Sequence, residues 1–496
     1  MMRYLALLFS FFLIVGCGDD DESGTDPIND DPDPIPTPGD GQPISFAIDV
    51  GDSEIPYIVI NTNGQTILNE PKVAATMKVY IESTEVLSGN VGIEYRGSTS
   101  LRLSDKRSYG IETWDMEGND TDMSIFGFPE EEDWILQGQV VNLAQNYTFD
   151  RTLMYHYFGY NLYRDMGRYA SRTQFVELEL NGQYLGVYVF MEKLKLDNQR
   201  IDIERMSPED NSGDEITGGY ILQIDKTSGG DVNNFLTLEQ SLNNWDDDAR
   251  YTPEISFRSQ YDIFGQDMTI PAFGEPYHPD MFLETYFLFE EPAADEIIFD
   301  QKAYIEDYIY QFETALLTDD FSSDVRTYTD YIDMSSFVDY FLLNEIVRNV
   351  DGYRLSTWLQ KDRGGKLAMG PVWDLNIGYD TGDRVPLTGW VIDYNDYVDT
   401  DPWMMPFWWP RLMEDQLFRT AVKERWNELR GNILSTTRLQ GIVDDNANYL
   451  IDNGAIGRNF NTWVLASPVN YAESVANLRS YLEQRTLWMD QEIQGF

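Results

Sequence analysis

Two aspartates, Asp351 and Asp374, stand in settings that an ordinary surface acid does not need. Asp351 follows the apolar run Tyr340-Phe341-Leu342-Leu343 and opens an Asp-Gly turn with Gly352. Asp374 lies behind the apolar segment Gly370-Pro371-Val372-Trp373 and ahead of Leu375 and Gly378. Between them, Thr357-Trp358-Leu359-Gln360-Lys361 and Lys366-Leu367-Ala368-Met369 read as two short strands. Asp362-Arg363-Gly364-Gly365 is the turn joining them, because glycine supplies the positive φ angles that tight hairpins use. A hairpin of this length brings the chain back beside its start, so both aspartates can face one site. Two carboxylates in a partly apolar site repel each other and are costly to desolvate, and a divalent cation between them removes that cost. Phosphoryl transfer uses such a pair: one aspartate takes the proton of the attacking hydroxyl and the other holds Mg²⁺ on the phosphates. Capping a turn is the plainer use of either aspartate alone; the pair flanking a hairpin favours the shared site.

Composition narrows the alternatives. The 496-residue chain carries 85 Asp and Glu against 35 Lys and Arg, a formal charge of −50, which repels nucleic acid and excludes it as a partner. The same charge repels a nucleotide, so a nucleotide site needs local cations and a metal. Aromatic residues make up 14% of the chain, the composition of a packed globular body. The lone cysteine, Cys17, rules out a disulfide framework and a cysteine zinc site. The two histidines, His156 and His278, belong to no metal-spaced cluster and read as packing or surface residues, which argues against a Ser-His-Asp or Cys-His hydrolase.

Residues 1–17 read as a signal peptide: one early arginine, an apolar run too short for a spanning helix of about 20 residues, and the ending Ile14-Val15-Gly16-Cys17. That ending resembles a bacterial lipobox, which would make Cys17 the lipidated first residue and anchor the protein in the membrane. The acidic, proline-rich stretch 18–44 cannot bury a core and reads as an extended tether. Its cluster Asp19-Asp20-Asp21-Glu22 resembles the surface-export signal of Bacteroidota lipoproteins, and a generic acidic linker is the alternative. The expectation is an outer-membrane lipoprotein exposed on the cell surface.

Residues 45–230 alternate apolar and polar positions in short runs and predict a β-rich lobe, mainly antiparallel. Phe175 to Leu180, Asn181-Gly182 and Tyr184 to Met191 form a strand-turn-strand signal. Arg96-Gly97-Ser98-Thr99-Ser100 offers backbone N–H groups to an anion, and Lys106 after it could reach phosphates. Gly218 to Asp225 is a further strand ending in an acid, suited to a hinge. Residues 231–496 predict a mainly helical lobe, with an irregular insertion up to Tyr277, helix over 279–317, and helices over 412–434 and 469–489. Asp333 or Ser335 would cap the helix leading to Asp351. The Trp- and Met-rich segment 401–410 reads as core packing, or, if exposed, as a recognition patch.

The segment Asn344-Glu345, Asn349, Asp351-Gly352-Tyr353, Ser356, Lys361-Asp362, Gly365-Lys366 and Gly370-Pro371-Val372-Trp373-Asp374 resembles the signature of the CotH kinase family, as do Arg96 to Ser100 and Lys106-Arg107-Ser108-Tyr109. The resemblance implies an α+β, protein-kinase-like fold with two lobes, ATP as donor and Mg²⁺ or Mn²⁺ as cofactor. It makes Asp351 the catalytic-loop aspartate and Asp374 the metal aspartate. Ser356 stands five residues after Asp351, where kinases keep a polar metal ligand. Arg96 and Lys106 would contact the nucleotide, and Glu192 would pair with Lys106. Where the family has a second Asp two residues after the metal Asp, this chain has Asn376, an oxygen ligand without charge. The implied activity is phosphate transfer to a protein or glycan hydroxyl outside the cell; the alternative is a weakly active or inactive relative that binds matrix or polysaccharide.

Overall fold

The structure, a computed structural model, describes residues 46–97, 99–227, 251–273, 283–379, 384–398, 401 and 403–496. The signal segment, Cys17, the acidic tether and His278 lie outside the described residues.

The first part of the described chain runs β1 (Tyr57–Asn61), β2 (Val73–Ile81), β3 (Thr84–Arg96), α1 (Thr99–Leu103), β4 (Ser108–Trp114), β5 (Asp133–Gln137), β6 (Val141–Asn142), β7 (Tyr147–Thr148), α2 (Tyr155–Asp165), β8 (Thr173–Leu180) and β9 (Gln183–Glu192). Strands β1-β2-β3-β4-β5-β9-β8 close into a barrel, antiparallel except where β1 meets β8. Its core shows why the sequence alternates. Each strand sends in two side chains two positions apart: Ile58 and Ile60, Met77 and Val79, Val91 and Ile93, Tyr109 and Ile111, Trp134 and Leu136, Val176 and Leu178, Tyr188 and Phe190. That spacing is the period of a strand with one face buried. Closure also leaves no sheet edge exposed. Asn181 and Gly182 both adopt positive φ, +51° and +75°, as the predicted β8–β9 turn requires.

The remainder adds β10 (Tyr220–Ile224), β11 (Ser256–Arg258), β12 (Tyr286–Glu291), α3 (Phe299–Leu317), α4 (Met334–Val347), β13 (Thr357–Lys361), β14 (Leu367–Met369), α5 (Tyr394–Tyr397), α6 (Trp408–Glu414), α7 (Gln416–Arg430), α8 (Thr436–Asp452), α9 (Ala455–Thr462) and α10 (Tyr471–Gln494). A second sheet has the order β11-β12-β10-β13-β14. The fold is therefore α+β, as expected. One expectation fails: Tyr286–Glu291 is a strand and not part of a helix. Its run Tyr-Phe-Leu-Phe suits a pleated sheet, and pairing with β10 and β11 decides its conformation. The segment around 404–409 is buried: Met405, Trp408 and Trp409 are at most 1% exposed, and Trp408 stacks on Phe287 at 5.7 Å.

Helix α4 is the spine of this half. Asp333 caps it by accepting the Ser335 N–H at 3.0 Å, and nearly every face of the helix is buried. Glu345 within it is fully buried and accepts hydrogen bonds from Arg485 Nη2 (2.9 Å), Val391 N–H (2.7 Å), Ile392 N–H (3.1 Å) and the Tyr353 hydroxyl (3.2 Å). Arg485, also fully buried, comes from α10 and donates besides to Glu345 O and Gly389 O. One ion pair thus ties α4, the 389–392 loop and α10 together. Removing one member strands the other charge without water, at a cost of about 3–5 kcal/mol. Arg485→Met is expected to lower the denaturant midpoint accordingly, with a larger loss than the exposed pair Arg479–Asp444 shows when either member is replaced.

Candidate active site

The residues that deliver Asp351 explain their own identities. Helix α4 ends in a left-handed residue, Arg348 (φ +55°), whose N–H returns to Asn344 O. Asn344 Nδ2 donates to Tyr340 O at 2.9 Å while its Oδ1 accepts from Asn349 Nδ2 at 3.2 Å. Asn349 Oδ1 then accepts the Asp351 N–H at 3.3 Å. A Cβ on residue 352 would stand 2.2 Å from Asn344 Oδ1, so glycine is required there. Asp351 is oriented from the other side by Arg354, whose Nη2 meets its Oδ1 at 2.6 Å. Arg354 is itself held by Asp401 and Trp403 O.

The predicted hairpin forms, with Leu359 opposite Met369 and Lys361 opposite Leu367. It hands the chain to Asp374, which adopts φ +54° and donates its N–H to the Tyr160 hydroxyl on α2 at 3.1 Å. Asp351 and Asp374 both line one cleft of about 550 Å³. Ser356, Asn376 and Arg96 line it too. The Arg96 guanidinium lies 5.7 Å from the Trp373 ring and donates to Gln137 at 3.3 Å.

The structure does not bring Lys106 or Glu192 to this cleft. Lys106 is 1% exposed and packs inside the barrel wall, its Nζ donating to Gln139 Oε1 at 2.7 Å, to Val187 O and to Asn459 Oδ1 at 3.1 Å. Burial pushes its ammonium well below the usual lysine range. Glu192 is fully buried and pairs with Arg172 (2.7 Å) and Arg200 (3.3 Å) instead of Lys106. Both corrections have one cause: the partners of Lys106, in the loop before β4, and of Glu192, at the end of β9, are set by tertiary packing that a linear motif does not specify. His156 is a packing residue, as expected; it is 4% exposed, stacks on Tyr160 at 5.8 Å, and burial lowers it to about 3.

Three cleft groups of consequence were not read as site residues. Asp225, at the end of β10, was read as a hinge; Lys226 and Glu290 were not singled out. Glu290 was hidden by the misread helix. Its placement comes from a β-bulge: Ile221 pairs with Glu291 and Leu222 with Phe289, which leaves Glu290 as the extra residue, and bulges re-aim side chains in this way. The cleft is lined by the carboxylates of Glu70, Glu94, Asp225, Glu290, Asp351 and Asp374 and by the cations Arg96, Arg102, Lys193 and Lys226. Burial raises Asp374, with Arg96 opposing and the Asp351 charge adding to it. Burial raises Asp225 to about 6, against Lys226, with Asp374 and Asp351 contributing. Burial, then the Asp225 charge, raises Glu290 to about 7.

This donor set fits a hard divalent cation, since the cleft offers carboxylate, amide and hydroxyl oxygens whose repulsion a cation would relieve. Trp358 lines the cleft, and its indole N–H is buried with no hydrogen-bond partner among the described residues. Among the described residues, the acidic trio whose ligand atoms lie within 4.8 Å of one another is Asp122, Glu131 and Glu132, outside the cleft. Lys195 already sits on Glu131 and Glu132 there.

A protein-family profile described as "CotH kinase protein" matches residues 93–489. The chain belongs to the CotH kinase family. No curated protein matches it. The match spans the cleft residues from Glu94 to Ile377, Asp351 and Asp374 among them, and leaves out Asn69 and Glu70.

The raised cleft acids set a pH dependence. Glu290 binds its proton up to about pH 7 in the folded chain but only up to about 4.5 when unfolded. The folded state therefore holds more protons between those values, and stability falls as pH rises through that window. Glu290→Gln is expected to flatten the decline in denaturant midpoint between pH 4.5 and 7 in metal-free buffer.

Proposed function

We propose that this CotH-family chain is a kinase that transfers the terminal phosphate of ATP to a hydroxyl of a protein or glycan, with a divalent cation, in a two-lobed protein-kinase-like arrangement. The observation that carries the reading is the convergence of Asp351 and Asp374 on one cleft. In the reaction, the acceptor oxygen attacks the γ-phosphorus, its proton passes to the Asp351 carboxylate, and the bond to the β-phosphate oxygen breaks to release ADP. Arg354 fixes the direction in which Asp351 presents its second oxygen. Arg96, with Arg102, Lys193 and Lys226 in place of Lys106, supplies the positive charge for the phosphates. Asp374 and Asn376 would hold Mg²⁺ or Mn²⁺, which when bound neutralises charge on the transferring group.

Anchoring through a lipid on Cys17, with the protein displayed on the outer membrane, is proposed from the sequence pattern alone. The second reading, an attenuated relative that binds matrix or polysaccharide, draws on Asn376 and on a cleft with six carboxylates against four cations among the described residues.

Incubation of the purified chain with labelled ATP and Mg²⁺ or Mn²⁺ is expected to transfer label to an added acceptor or to the chain itself. Asp374→Ala and Asp351→Ala should each reduce the rate by about 10²–10³-fold. Transfer that is absent, or unchanged by Asp374→Ala, leaves only the binding reading. Lys106→Met separates packing from chemistry: it is expected to lower the melting temperature by several degrees while the KM for ATP stays within about twofold.

A further inference from the structure

We propose that Asp225 is the second carboxylate ligand of the cation held by Asp374, supplying the charge that Asn376 lacks. The inference rests on the phosphotransfer reading above and assigns a ligand to the same cleft.

Asp225 follows β10, the strand hydrogen-bonded on one side to β12 and on the other to β13, so its backbone is fixed from both edges. Its carboxylate is oriented as well as placed. Oδ1 accepts the Lys226 N–H at 2.8 Å, and Oδ2 accepts from Gln223 Nε2 at 3.0 Å and from Ser356 Oγ at 3.3 Å. A carboxylate has about four acceptor positions, so these three donors leave one on Oδ1 for a further partner. Three fixed donors of this kind are what outer groups do for a metal-ligating carboxylate. Ser356 stands at the position expected for a polar metal ligand, and its hydroxyl points at Asp225. The serine thus orients the ligand, and the acid takes its place on the cation. The charge balance agrees. With Asp374 and Asn376 alone, the segment after the hairpin gives a divalent ion one negative ligand; Asp225, lining the same cleft, makes two. Lys226 and Glu290 are the other charged neighbours of Asp225 that face it, one of each sign.

The test is Mn²⁺ binding by the purified full chain, followed by the electron paramagnetic resonance of free Mn²⁺, which requires no turnover. Wild type is expected to bind one Mn²⁺ that Asp374→Asn abolishes. Asp225→Asn should weaken binding by about tenfold or more, and Ser356→Ala, which leaves the acid but loosens it, by a smaller factor. Adding Asn376→Asp to Asp225→Asn should restore affinity to within about threefold of wild type, an outcome that a purely structural role for Asp225 does not give. Wild-type affinity in Asp225→Asn overturns the inference; should that variant not fold, wild-type affinity in Ser356→Ala does so. Failure of wild type to bind Mn²⁺ at all overturns the metal reading itself, a result distinct from binding that depends on Asp374 alone.

Discussion

Mutual repulsion among Asp225, Asp351 and Asp374, partly withdrawn from water, is the constraint that the rest of the molecule answers. Acids that share one cleft and raise one another's pKa resist folding, and the chain holds each with rigid structure. Asp351 is fixed by the Asn344–Asn349 hydrogen bond and by Arg354. Asp374 is fixed by a left-handed backbone and the Tyr160 hydroxyl. Asp225 is fixed by its strand and three donors. Three different devices from three parts of the sequence thus hold like charges at one cleft.

Helix α4 makes this possible because it cannot shift. A helix buried on nearly every face has one seat, and the Glu345–Arg485 pair locks that seat to α10. Barrel and second sheet then form the two walls between which the cleft opens. Arg96 leaves the end of β3, while Asp225 and Ser356 belong to the turn regions around β10 and β13. No single element carries the site, so no single element's secondary structure could have revealed it.

What could be read from the sequence follows from range. The hairpin between the two aspartates, the Asn-Gly turn, the Asp333 cap and the burial of Trp408 and Trp409 rest on local rules, and all appear. Asp351 and Asp374 were legible because both flank that one local hairpin. Lys106 and Glu192 were misplaced because their partners, Asn459, Arg172 and Arg200, are set by barrel closure and by helix docking, which leave no local trace. Glu290 was missed because aromatic runs satisfy helix and strand alike until pairing decides. Asp225 was noticed as the end of a strand; that Ser356 reaches it across 131 positions is information only the fold contains.

The buried ammonium of Lys106 has a consequence for how the chain is made. Two of its three acceptors, Gln139 and Val187 O, are near it in the order of synthesis, but the third, Asn459 Oδ1, is 353 positions later. The same asparagine caps the Val187 N–H, and Trp463 closes on Leu185 O. Until residues 459–463 are made, only water can meet the third donor position of Lys106 and these polar groups of β9. The amino-terminal β body, which synthesis delivers first, is thus clasped in the finished fold by residues from the carboxyl-terminal stretch.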